Sequence, residues 1–180
     1  MKKRFFTLST LAFLLFATSA FTITEWAQFQ KDNYKILFPQ APSTDSTIAG
    51  TKIGTLTVYT HMYESPENSA DSNLVYGLSV TDYPAKYILS NDKAFLKGYF
   101  EGAVKGAVGN LKGKLISEKE ITWKNYPGRE IKIDYSDGAA IITMRIILVK
   151  ERAFGLQTIS YPGKENNANA TKFYNSFDIQ

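Results

Sequence analysis

The sequence predicts an α+β fold: a layered sandwich with a central antiparallel sheet and one long and one short covering helix. Three observations predict it. Most of the chain is a series of short stretches in which apolar and polar residues alternate, separated by turn residues rather than by helices. That is the pattern of consecutive antiparallel strands. One stretch in the middle, from about Asp92 to Val108, repeats its apolar residues at helical spacing instead. A shorter helical stretch follows the last long strand, and helices segregated from strands in this way cover a sheet as layers.

The chain starts Met1-Lys2-Lys3-Arg4, continues in a mostly apolar run from Phe5 to Phe16, and exits through Ala17, Thr18, Ser19 and Ala20. A cationic start, a short apolar run and a small-residue exit are the three parts of a secretory signal. Residues 1–20 are therefore expected to be a signal peptide, and residues 21–180 a single domain. The apolar run is shorter than the roughly 20 residues a bilayer span needs, so no stable membrane insertion is expected after cleavage. The basic cluster is not a twin-arginine signal, which points to export by the general secretory route, to a periplasmic or extracellular location.

Trp26 and Phe29 precede Asn33-Tyr34-Lys35-Ile36-Leu37-Phe38-Pro39, a short first strand ended by the proline. Residues 39–50, rich in Pro, Ser, Thr and Gly, read as a loop. Thr55 to Tyr63 alternates: Leu56, Val58 and Met62 share one face, and Thr57, Tyr59, His61 and Tyr63 the other. A polar loop over residues 64–72 leads to a strand from Leu74 to Thr81, ended by Asp82-Tyr83-Pro84.

The long helix can be capped by Ser90 or Asn91. Phe95, Tyr99 and Ala103 form one apolar stripe, and Leu96, Phe100 and Val104 the next. Gly98, Gly102 and Gly106 also recur every fourth residue. Each glycine costs about 1 kcal/mol in a helix relative to alanine, so the repeat predicts a close approach of helix to sheet.

Strands follow from Lys114 to Thr122 and from Arg129 to Tyr135, the second with Ile131, Ile133 and Tyr135 inward. Ser136-Asp137-Gly138 reads as a hairpin turn. Ala140 to Val149 is almost continuously apolar and reads as a central strand, and Ala153 to Ser160 returns. A short helix is expected over about Glu165 to Tyr174, with Phe173 inward.

Charge and composition exclude several function classes. The chain has 21 Lys+Arg and 17 Asp+Glu, for +4. Three of the basic residues lie in the expected signal, so the remainder carries 18 minus 17, or +1. No nucleic-acid partner is expected of so neutral a domain. The absence of cysteine removes disulfides, thiolate catalysis and cysteine zinc sites together. Gly109-Asn110-Leu111-Lys112-Gly113-Lys114 is one residue short of a phosphate loop. Ser90-Asn91-Asp92-Lys93 matches Ser-x-x-Lys only formally, without its companion motifs. No catalytic set, cofactor or metal site is expected, and the chain reads as non-catalytic.

The residues left as candidates are few. His61, the one histidine, lies between Tyr59 and Tyr63 and reads as half-exposed. The three together could form an aromatic patch for a partner or an apolar ligand. Arg129, in phase with inward Ile131 and Ile133, reads as a partly buried ion pair that needs a carboxylate, with an anion site as the alternative. Glu64, Glu67 and Asp71 gather oxygen ligands of the kind calcium takes, but their spacing matches no EF-hand and they read as a solvated turn.

Several of these segments together resemble a family: Tyr34-Lys35-Ile36-Leu37-Phe38-Pro39, Asp82-Tyr83-Pro84, Tyr126-Pro127-Gly128-Arg129-Glu130 entering a strand, and Ser176-Phe177-Asp178-Ile179. They are similar to the PsbP-like proteins in their short secreted bacterial form. The resemblance implies an α-β-α sandwich and a non-catalytic accessory role beside a larger protein partner. The alternative expectation is a small-ligand or lipid carrier, with an apolar cavity between sheet and helix in space left by the glycine stripe.

Overall fold

The computed structural model describes residues 25–51, 53–88 and 92–180. The expected signal peptide, residues 1–20, lies outside them, as do Ser90 and Asn91. A hairpin of β1 (Ala27–Lys31) and β2 (Tyr34–Phe38) comes first, turned at Asp32, whose φ is 49°. A second hairpin joins β3 (Ser43–Thr51) to β4 (Gly54–Glu64), and β5 (Asn73–Asp82) pairs with β4. A 3-10 turn at Ala85–Tyr87 precedes α1 (Lys93–Leu111). Then β6 (Lys114–Trp123), β7 (Tyr126–Tyr135), β8 (Ala140–Val149) and β9 (Arg152–Ser160) run as successive hairpins. α2 (Ala168–Ser176) and β10 (Asp178–Ile179) come last.

Two antiparallel sheets result. The larger has seven strands in the order β3-β4-β5-β9-β8-β7-β6, and the smaller has three in the order β1-β2-β10. Alternation then divides the large sheet into two buried faces. On one, Leu78, Val80, Phe154, Leu156, Ile147 and Val149 pack against Tyr34, Ile36 and Phe38 of the small sheet and Phe173 and Phe177 near α2. On the other, Ile131, Ile133, Ile142, Ile146 and Leu148 pack against Phe100 and Val104 of α1. β8 supplies both cores, which is why its sequence is apolar almost throughout.

The α+β class holds, but the predicted sandwich needs correction. One outer layer is a small sheet plus a short helix, not a helix alone. Its first strand, β1, went unread because Ala27-Gln28-Phe29-Gln30-Lys31 offers only one large apolar residue. Residues 43–50 of the expected loop over 39–50 belong to β3 (Ser43–Thr51) instead. Their Ser and Thr are turn formers by composition, yet the prolines stop at Pro42 and β4 supplies a ladder to pair with.

Three local expectations also change. Asp92 caps α1, its side chain accepting from the Phe95 N–H at 2.8 Å. Tyr135 is 42% exposed rather than inward, because the end of β7 runs past the core. A methyl group added at Gly98, Gly102 or Gly106 would meet nothing beyond its own turn of helix within 4 Å, so the glycine stripe faces open space and makes no close approach to the sheet.

Candidate functional site

The expected Tyr-His-Tyr patch does not exist as one surface. Tyr59, His61 and Tyr63 do share a face of β4, but the small sheet closes over that face. His61 is 0% exposed. Phe29 lies against its ring, with centroids 4.1 Å apart. Thr44 Oγ1 meets its Nδ1 at 2.9 Å and the Tyr34 hydroxyl meets its Nε2 at 3.3 Å. Burial, and secondarily Lys31, push the imidazole pKa below its ordinary value. Burial likewise pushes the Tyr34 phenol up to about 12. Tyr63 is half-buried against Tyr76. Only Tyr59, 38% exposed, remains at the surface, with the Lys31 ammonium 4.3 Å from its ring centroid.

Arg129 sits where its phase placed it, on the α1 side of β7. Its guanidinium donates to Glu118 at 3.2 Å and Glu120 at 2.7 Å, both on β6, and lies over the Phe100 ring. The geometry is that of a structural ion pair. Of the three loop carboxylates, Asp71 turns inward: it accepts from the Asn73 N–H and side-chain amide and from the Tyr76 hydroxyl at 2.6 Å. Among the described residues no cluster of three His, Cys, Asp or Glu is arranged to hold a metal.

A second constellation was not singled out from the sequence. On the face of β7 and β8 under α2, Glu130 accepts from Lys119 at 2.8 Å and from Arg145 Nε at 2.7 Å. Burial pushes the Glu130 carboxyl up, but those two hydrogen bonds outweigh it and hold it below the ordinary glutamate range. The Arg145 guanidinium lies 4.5 Å from the centre of the Tyr174 ring. Tyr174 donates to the Thr143 carbonyl at 2.7 Å, so at 3.0 Å it is the Thr158 hydroxyl that donates to Tyr174. Beside them Lys132 donates to Glu165 at 3.3 Å and to the Asn166 side-chain oxygen Oδ1 at 3.1 Å. The signal was present in the sequence: Thr143 and Arg145 interrupt an apolar strand two residues apart, as Glu130 and Lys132 do in its neighbour.

Two of the cavities elsewhere differ most in lining, one polar and one apolar. One of about 510 Å³ is lined by the turn at Asp32 and Asn33, by Asp82 and by Arg152. Within it Arg152 grips Asp82 through two bonds and also reaches Asn33. The other, about 380 Å³, is an apolar groove at the start of α1, lined by Ile53, Tyr83, Tyr87, Ile88, Phe95 and Tyr99. Of the glycine stripe only Gly98 borders it.

No known protein family and no curated protein matches the sequence. The solution structure of cyanobacterial PsbP (CyanoP) from Synechocystis sp. PCC 6803 matches with a TM-score of 0.55, over 92% of this chain and 99% of that one. The fold is PsbP-like. Sequence identity to CyanoP is 11%, so the PsbP-like likeness is one of architecture and assigns no site. A protein of unknown function from Pseudomonas aeruginosa, described as a putative regulator, matches at a TM-score of 0.37 and 10% identity, over 78% of this chain and 85% of that one. That likeness carries no argument. Among the described residues no helix is long and apolar enough to cross a membrane.

Proposed function

We propose that the chain is an exported, non-catalytic accessory protein that engages a larger protein partner through the open edge formed by β3. The observation that carries this reading is the contrast between the two edges of the large sheet. β6 has the features that keep an edge unpaired: Lys114, Glu118, Lys119 and Glu120, and a register break between Leu115 and Ser117. β3 has almost none of these. Its nine residues, Ser43 to Thr51, carry one charge, Asp45, and no proline, and its register with β4 is unbroken. An uninterrupted row of backbone donors and acceptors accepts an extended segment of another protein as an added strand. Ile48, 73% exposed, and Tyr59 lie on the same face beside that edge and offer apolar contact to it. Export rests on the N-terminal pattern of residues 1–20.

The test is crosslinking of the tagged mature protein in the cell, with mass spectrometry of what accompanies it. A recurring protein partner is expected with the native sequence. Ile48→Lys places on β3 the kind of charge that blocks strand addition, and should remove that partner while the melting temperature stays unchanged. A partner kept by both Ile48→Lys and Tyr59→Ala would sink the edge as the docking site.

The apolar groove at the start of α1 favours a second reading, a carrier of a small apolar or lipid-like ligand. Its lining is almost wholly apolar and aromatic, as small-molecule sites are. In that case the intact mass of the gently purified protein would include a bound ligand, and no protein would recur in the crosslinks.

A further inference from the structure

The groove at the start of α1 is walled by aromatic rings that hold one another in place. Phe95 and Tyr99 stack with centroids 6.1 Å apart, and Tyr83 meets Tyr99 edge-on at 5.8 Å. Ile88, Phe95 and Tyr99 also pack on the core under α1. Walls fixed from behind keep their shape whether or not a ligand lies against them, which is the preorganisation a binding site needs. On the helix side the groove is bordered by Ala94 and Gly98. A Cβ at Gly98 would meet nothing beyond its own turn of helix within 4 Å, so the helix leaves room there for a foreign group. The volume of about 380 Å³ corresponds to about a dozen non-hydrogen atoms at the roughly 30 Å³ share of one water. That is one short chain, not a lipid with two.

Charge decides the other end of the ligand. None of the lining residues is charged. The Lys86 ammonium stands 4.8 Å from the centroid of the Tyr87 ring, and that ring lines the groove. Lys86 is exposed and makes no ion pair among the described residues. Asp92, the carboxylate at this end of α1, is turned to its own helix, where it accepts from the Phe95 N–H at 2.8 Å. An apolar body lying in the groove therefore ends beside a positive charge that no carboxylate answers, and an accessible ammonium suits a carboxylate.

We propose that the groove binds a monocarboxylate with an apolar body of about ten carbons, the body against Tyr83, Phe95 and Tyr99 and the carboxylate on Lys86. This rests on the carrier reading of the groove and gives it a ligand class: a free organic acid, rather than a neutral lipid or an amphipathic cation.

Calorimetric titration of the mature protein with octanoate tests it, with octanol and octyltrimethylammonium as the neutral and cationic counterparts. Saturable binding of octanoate is expected, about threefold tighter than octanol, the effect of one exposed ion pair, with the cation weakest. Lys86→Met keeps an unbranched side chain and removes the ammonium. It should bring octanoate to the affinity of octanol and leave octanol unchanged. Gly98→Leu fills the groove from the helix side and should abolish binding of both while the melting temperature holds. Octanol bound as tightly as octanoate, or octanoate unaffected by Lys86→Met, would overturn the carboxylate and leave the carrier reading standing. No saturable binding of any of the three, or full binding of octanoate by Gly98→Leu, would overturn the groove as a site, and the carrier reading with it.

Discussion

His61 shows what a single residue can hide. Its ring is sealed between Phe29, Thr44 and Tyr34, and it is held neutral because burial and Lys31 lower its pKa. The unfolded chain has an ordinary imidazole that titrates near pH 6.5. As pH falls below about 6.5, the unfolded state takes up a proton that the folded state refuses. Stability is therefore full above that pH and declines below it, by at most about 1.4 kcal/mol per pH unit, until the lowered folded value is reached. Denaturant unfolding across this window should show the decline, and His61→Gln should flatten it. A slope unchanged by His61→Gln would assign the proton elsewhere. Glu130 acts lower: its depressed carboxyl stabilises above the ordinary glutamate range, and that contribution is lost only as pH falls through it. The face of His61 was legible from the alternation along β4. Its burial was not, because the cover comes from β1, where only Phe29 announces a strand. Arg129 was readable to the end, since an arginine in phase with Ile131 and Ile133 has to find carboxylates, and β6 presents Glu120 directly across and Glu118 diagonally.

The elements were legible where packing and local preference agree, and misread where they part. β8 has to be a strand buried on both faces, because Ile142, Ile146 and Leu148 serve one core and Ile147 and Val149 the other. β3 has almost no buried side chain to announce it, and exists because β4 offers it a ladder. The apolar stripes of α1 announce the helix, but its glycines do not serve the close approach their spacing predicts. They lie on the helix face away from the sheet, with open space where a side chain would go. Alanine there should cost nothing in contacts, and should gain the helix propensity that glycine gives up. Gly102→Ala is expected to raise stability by about 0.5–1 kcal/mol, read as a shift in the denaturant midpoint with an unchanged slope. Loss of stability would mean that something in the native assembly rests on that face. Gly128 on β7 is the contrast: a methyl group there would stand 2.7 Å from the Ile146 carbonyl oxygen, so the same substitution has to displace backbone.

At the scale of the whole molecule the question is whether three layers unfold as one. The core under the small sheet and α2 and the core under α1 share no covering element, but they share β8, whose alternate side chains enter both. Neither core can loosen without freeing one face of that strand, so a single cooperative transition is expected. The two tryptophans allow this to be read by layer, because Trp26 and Trp123 both pack on the small-sheet side, beside Tyr76 and Phe177. Fluorescence thus reports one core, while far-ultraviolet dichroism reports the entire sheet. Phe100→Ala empties part of the other core, at a cost of about 3–5 kcal/mol, a large share of the roughly 5–15 kcal/mol that holds a domain of this size. If β8 couples the layers, Phe100→Ala moves the tryptophan transition as far as the dichroism transition, although no tryptophan touches α1. Should the dichroism shift while the fluorescence transition stays in place, the α1 layer unfolds by itself, and the sheet transmits less between its faces than the shared strand implies.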